Sequence, residues 1–108
     1  MAWFLIVAAG LFETGFAVLL KQSAHFTRWW PTIGFAACAL ISFGLLSLAL
    51  RELEVGPAYA VWTGVGTVGT FTVGLIVFGE PATVARMICV GLIAAGILGL
   101  KLFAEPAV

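Results

Sequence analysis

The stretch Trp3–Leu20, WFLIVAAGLFETGFAVLL, decides what kind of molecule this is. It is long enough to cross a bilayer as a helix, because a hydrocarbon core roughly 30 Å thick takes about 20 helical residues. Glu13 is its only ionisable side chain and falls near the middle, with apolar sequence on both sides. A carboxylate at that depth costs about 3 kcal/mol or more, so intramembrane acids face a protein interior or a wet cavity and mark ion, proton or substrate pathways. Glu13 is therefore the first candidate functional residue. The plainer alternative is a structural glutamate, protonated and hydrogen-bonded within a helix bundle.

Outward from this stretch the pattern repeats. Of the 108 residues 63% are hydrophobic and 9% charged, where a soluble domain carries roughly 25% charged residues. The chain reads as an all-α membrane protein, one four-helix domain over 1–108, with spans at roughly 3–21, 31–50, 57–78 and 85–103 and no soluble domain. The first run lacks a basic n-region and a small-residue cleavage site leading into polar sequence, so it is read as a retained span. A net charge of zero leaves no footprint for nucleic acid. Cys38 and Cys89 lie singly in apolar runs and His25 is alone in a short polar segment. A metal site takes about four ligands at characteristic spacings, so neither metal nor cofactor is expected.

After the first span, Lys21, His25 and Arg28 mix with Trp29 and Trp30, the basic and aromatic composition of a membrane interface. Pro31 is suited to a helix start. Along the second span Gly34, Cys38 and Ser42 recur every fourth residue, which places small residues on one face for close packing. Ser42 adds a hydroxyl able to serve a carboxylate. In the third span Tyr59, Trp62, Thr63 and Gly66 follow i, i+3, i+4, i+7, so phenol, indole and hydroxyl share a face. Tyr59 and Trp62 lie close enough to the start of this span that an aromatic belt is the competing reading. Gly64, Gly66, Gly69 and Gly74 interrupt the span, easing bending and close approach. Glu80, in the loop Gly79–Thr83, reads as a solvated charge. In the fourth span Gly91, Ala95 and Gly99 repeat a small-xxx-small spacing without ionisable groups, a stripe for subunit assembly or for packing within the chain.

Four spans put Arg51 and Lys101 on one side of the membrane and Lys21, Arg28 and Arg86 on the other. Orientation follows such Lys and Arg counts, and two against three gives almost no instruction. A chain so weakly biased can insert both ways, and two opposite copies make an inverted pair of the kind transporters build from internal repeats.

Over essentially its whole length the chain resembles the small multidrug resistance family of transporters. The resemblance is carried by Leu11-Phe12-Glu13, Lys21, the run Ala24-His25-Phe26-Thr27-Arg28 with Trp30-Pro31, Ser42, the run Val55 to Gly66, and Gly96 to Lys101. It implies an antiparallel, dual-topology dimer of four-helix subunits in a bacterial inner membrane, a homodimer or a heterodimeric pair, whose first-span glutamates bind protons and a cationic substrate alternately. Ala60 to Gly66, Val68-Gly69 and Gly79-Glu80-Pro81 look most like the guanidinium exporter subtype. By that likeness Glu13 is the shared carboxylate, Ser42 and Trp62 are donors around it, and Tyr59 is a gate or coupling residue; Phe16 and Thr63 bear on selectivity. Phe16 is a departure, since that subtype generally has tryptophan here and the promiscuous drug exporters glycine. An indole N–H that would orient Glu13 is therefore missing while the bulk is mostly kept.

The implied activity is proton-coupled export of guanidinium or small substituted guanidinium and ammonium cations, with no enzymatic chemistry. A promiscuous quaternary ammonium exporter is the alternative within the family. A flippase-type or structural membrane subunit is the alternative outside that activity, and a rotor proteolipid of a proton-driven ATPase would instead be a hairpin of about two spans.

Overall fold

Chain segments in lipid must satisfy their backbone hydrogen bonds internally, and the four apolar runs do so as helices. The computed structural model describes residues 2–103, so Met1 and residues 104–108 of the 1–108 range lie outside the described residues. Its helices are α1 (Ala2–Gln22), α2 (Trp29–Ala49), α3 (Val55–Ile76) and α4 (Val84–Phe103). Each is long and apolar enough to cross a membrane. The molecule is an all-α, multi-pass membrane protein.

Both helices that carry an early proline start before it. α2 begins at Trp29 and α3 at Val55, so Pro31 and Pro57 occupy the third helical position rather than the first. Proline costs no hydrogen bond there, because the first four N–H groups of a helix have no intrahelical acceptor. α3 ends at Ile76, two residues short of the sequence expectation. Gly79, at φ +63°, then turns the chain back, and the Glu80 N–H donates to the Gly74 carbonyl at 3.0 Å. The α1–α2 connection is wound around buried Ser23: its carbonyl accepts from the N–H groups of Thr27 and Arg28 at 2.9 and 3.0 Å.

α1 lies between α2 and α3, and α4 rests on the far side of α3. Small residues set the helix spacing, as they do where lipid removes the hydrophobic drive for association. The stripe expected on α2 packs on α1: Gly34 faces Leu19, Cys38 Sγ lies by Gly15, and Ser42 bonds to α1. A Cβ on Gly10 would come within 2.6 Å of Val65, so α1 and α3 cross there in close contact. The core gathers Ile6 and Ala9 of α1, Ala49 of α2, and Ala58, Val61 and Trp62 of α3. α4 differs, having no buried residue. On it Gly91 and Gly99 face open space and Ala95 is exposed, so this stripe does not pack within the chain.

Candidate functional site

Glu13 sits midway along α1 on the side turned to α3. Its carboxyl group lies directly against Gly66, where a Cβ would collide with Oε1 and Cδ. One residue on, the Thr14 hydroxyl is placed to donate to the carbonyl of Gly10, at 3.3 Å, or of Gly66, at 3.2 Å, across the helix crossing. Gly69 makes room for that hydroxyl. The crossing is thus built of Gly66 and Gly69 on α3 receiving two polar side chains of α1. Within it Glu13 Oε1 is buried and has no hydrogen-bond partner. An unpaired buried oxygen is costly, and here it borders a cavity of about 360 Å³ lined by Glu13, Gly66, Thr67, Thr70, Phe71 and Glu80.

The other residues singled out from the sequence form a second, connected group. The Trp62 Nε1–H donates to Ser42 Oγ at 2.9 Å, and the Ser42 hydroxyl donates to the Ala9 carbonyl at 2.7 Å, all buried. Ala9 is one turn before Glu13, so Ser42 grips the backbone that carries the glutamate. With both donors used in this way, neither contacts the carboxylate in this conformation. Tyr59, half exposed, stacks beside Trp62 with ring centroids 5.3 Å apart. From Trp62 the rings continue through Phe43, Phe16 and Phe35 to Phe26, each pair 5.6–6.0 Å apart.

Phe16 therefore turns toward α2, whereas Glu13 turns toward α3. Thr63, one turn before Gly66, holds a buried hydroxyl without a partner, a second unsatisfied oxygen, with Glu13 Oε1, among the described residues. Two further residues border the Glu13 crossing or its cavity: Thr14, which sequence reasoning does not single out, and Glu80, which it reads only as a solvated charge. Thr14 was hidden as an ordinary helical threonine, although threonine beside an intramembrane acid in a line with two glycines opposite is a detectable pattern. Glu80, half exposed, lines the same cavity as Glu13, although its loop position suggests a charge wholly in solvent.

Residues 1–93 match the family described as Small Multidrug Resistance protein. Among curated proteins, the chain is 48% identical over 102 residues to the guanidinium exporter of Citrobacter freundii, covering 94% of this chain and 97% of that one. It is 47% identical over 105 residues to the guanidinium exporter of Salmonella typhimurium strain LT2, covering 97% and 100%. The guanidinium exporter of Proteus vulgaris is 46% identical over 102 residues, covering 94% and 98%.

Proposed function

The chain belongs to the Small Multidrug Resistance family, a family of transporters rather than enzymes, and we propose that it is a proton-coupled antiporter exporting guanidinium and small substituted guanidinium cations. The observation that carries the reading is the Glu13 carboxyl group: in mid-span, with one oxygen buried and unpaired, at the wall of a 360 Å³ cavity. Guanidinium is planar and presents parallel N–H donors that fit a carboxylate in a bidentate way. A proton and the cation compete for the same oxygens. Binding is exclusive, so a proton arriving from one side releases the cation to the other, and alternating access of the site completes the exchange.

Each surrounding group has a part in this reading. Ser42 and Trp62 fix the α1 backbone one turn before the carboxylate and supply donors once the helices shift. Tyr59 and the ring series beside it border the route to the site, and Thr63 and Phe16 tune which cations are accepted. The working unit is an antiparallel homodimer in a bacterial inner membrane. Supporting this are the near-balance of Lys and Arg on the two sides and the unpacked small-residue face of α4.

Purified protein in liposomes tests the reading. Radiolabelled guanidinium should accumulate when a proton gradient is imposed and should stop when the gradient is collapsed. Gradient-independent leakage, or no movement from correctly folded protein, would overturn it.

A further inference from the structure

Glu80 is an exposed loop charge that folds back on the helix bundle. The turn at Gly79 folds it back over the end of α3, where Gly74 provides the space that one carboxylate oxygen fills. Its other oxygen, Oε2, receives the Lys21 ammonium from the end of α1 at 3.4 Å. Gly66, Thr70 and Gly74 are spaced i, i+4, i+8 and so share one face of α3, about 12 Å long at 1.5 Å per residue. Glu13 rests on one end of that face and Glu80 on the other. Both carboxylates, with Thr67, Thr70 and Phe71, line one cavity. That cavity runs from mid-span to the end of the bundle where α1 and α3 terminate.

A cation already sits at the outer end. The Lys21–Glu80 pair is long and both side chains are about half exposed, 57% and 47%, the kind of ion pair that contributes little and exchanges readily. In the same position Lys21 Nζ lies 4.4 Å from the centroid of the Phe78 ring, where an ammonium is attracted by the ring face, so loss of the Glu80 contact does not leave it without a partner. A guanidinium ion can engage a carboxylate through two parallel N–H bonds, which an ammonium cannot.

We propose that Glu80 is the entry carboxylate of the Glu13 cavity: it takes up a guanidinium-class cation at the membrane face in exchange for the Lys21 ammonium, and the cation then passes along the Gly74–Thr70–Gly66 face to Glu13. This rests on the transport reading above. Lys21 is in this scheme a tethered competitor that keeps the outer carboxylate neutralised between cycles. Its ammonium, still held near Phe78, pairs with Glu80 again when the cation moves inward.

The test is guanidinium–proton exchange in proteoliposomes, with KM and maximal rate measured for the wild type, Glu80→Gln, Glu80→Asp and Lys21→Gln. Glu80→Gln should raise KM about two- to fivefold, the scale of a half-exposed ion pair, with a smaller change in maximal rate. Glu80→Asp should recover most of that affinity, and Lys21→Gln should lower KM because the competitor is gone. The gap between wild type and Glu80→Gln should shrink in high salt, as exposed charges are screened. A pair that acted only as a latch between α1 and the α3–α4 loop would make Glu80→Gln and Lys21→Gln equally harmful, and that result overturns the proposal. An unchanged KM in Glu80→Gln beside an active wild type also overturns it while leaving the transport reading standing. An inactive wild type removes both.

Discussion

Glu13 and Gly66 are in direct contact: the carboxylate rests where any side chain on residue 66 would have to be. The α3 backbone is thus a wall of the cavity that Glu13 lines. The acid of α1 and the glycine of α3 make a single structural unit.

Glu13→Gln removes the exchangeable proton while keeping the volume. Coupled transport should be lost, while membrane insertion and thermal stability stay near wild type. Liposome flux and a detergent melting curve measure the two parts, and proton-driven guanidinium uptake by the variant would displace Glu13 from the mechanism.

Gly66→Ala and Gly10→Ala should separate site from scaffold. At Gly66 the new methyl meets the far end of a flexible side chain, so the carboxylate swings aside and the fold survives. A displaced site group costs on the order of a hundredfold in rate, which flux would read. At Gly10 the methyl meets Val65 Cβ and Cγ1 at 2.6 Å and the Trp62 carbonyl oxygen at 3.3 Å, atoms close to the α3 backbone. Overpacking of this kind costs about 1–3 kcal/mol, so Gly10→Ala should melt at lower temperature. Equal effects of the two on stability would contradict the assignment.

Ser42→Ala leaves the buried Trp62 indole N–H without its acceptor and frees the Ala9 carbonyl from its second bond. The loss of a buried partner costs about 1–3 kcal/mol, to be read in thermal unfolding. Ser42→Thr, which retains a hydroxyl, should lose less. If alanine and serine proteins melt together, the Trp62–Ser42–Ala9 chain does not hold α2 and α3 to α1.

Phe16→Trp introduces the indole donor that this chain lacks. Phe16 lies between Phe35 and Phe43, at 5.8 and 6.0 Å between ring centroids, so the added bulk enters the ring series beside the site. Substrate range should narrow toward guanidinium, with bulky or alkylated cations losing about tenfold or less, the scale of one net hydrogen bond. Competition assays decide it; an identical ranking of substrates before and after would free Phe16 from any role in selectivity.

The near-balance of Arg51 and Lys101 against Lys21, Arg28 and Arg86 should let accessibility labels at the C-terminus report from both membrane faces. Two added lysines at either terminus should bias the population, because local Lys and Arg counts set orientation. A strictly single orientation in the unmodified chain would argue for an oppositely inserted partner of different sequence.

The four helices were legible because length and apolarity alone specify them, and Glu13 was legible because an acid in lipid demands a reason. Helix starts were displaced by two residues at Pro31 and Pro57, since the whole first turn tolerates proline and the sequence does not say which of its positions is used. Ser42 and Trp62 were recognisable as hydrogen-bonding residues, but not their partners. The final acceptor is a backbone carbonyl, and every residue has one. Glu80 is exposed in its loop, as its sequence position indicates, but distance along the chain conceals its neighbours: the left-handed turn at Gly79 sets it beside Lys21 and at the cavity of Glu13.

α4 carries no buried residue, and this changes what a mutational scan of the protein would measure. In a helix with an interior, intolerance to substitution maps the chain's own packing. Here α4 can respond only weakly to the rest of its own chain, mainly through Gly64 against Ile97. A band of intolerant positions along Gly91, Ala95 and Gly99 would therefore be an imprint of whatever surrounds the subunit in the membrane, recorded in the sequence of a helix that its own fold leaves almost unconstrained.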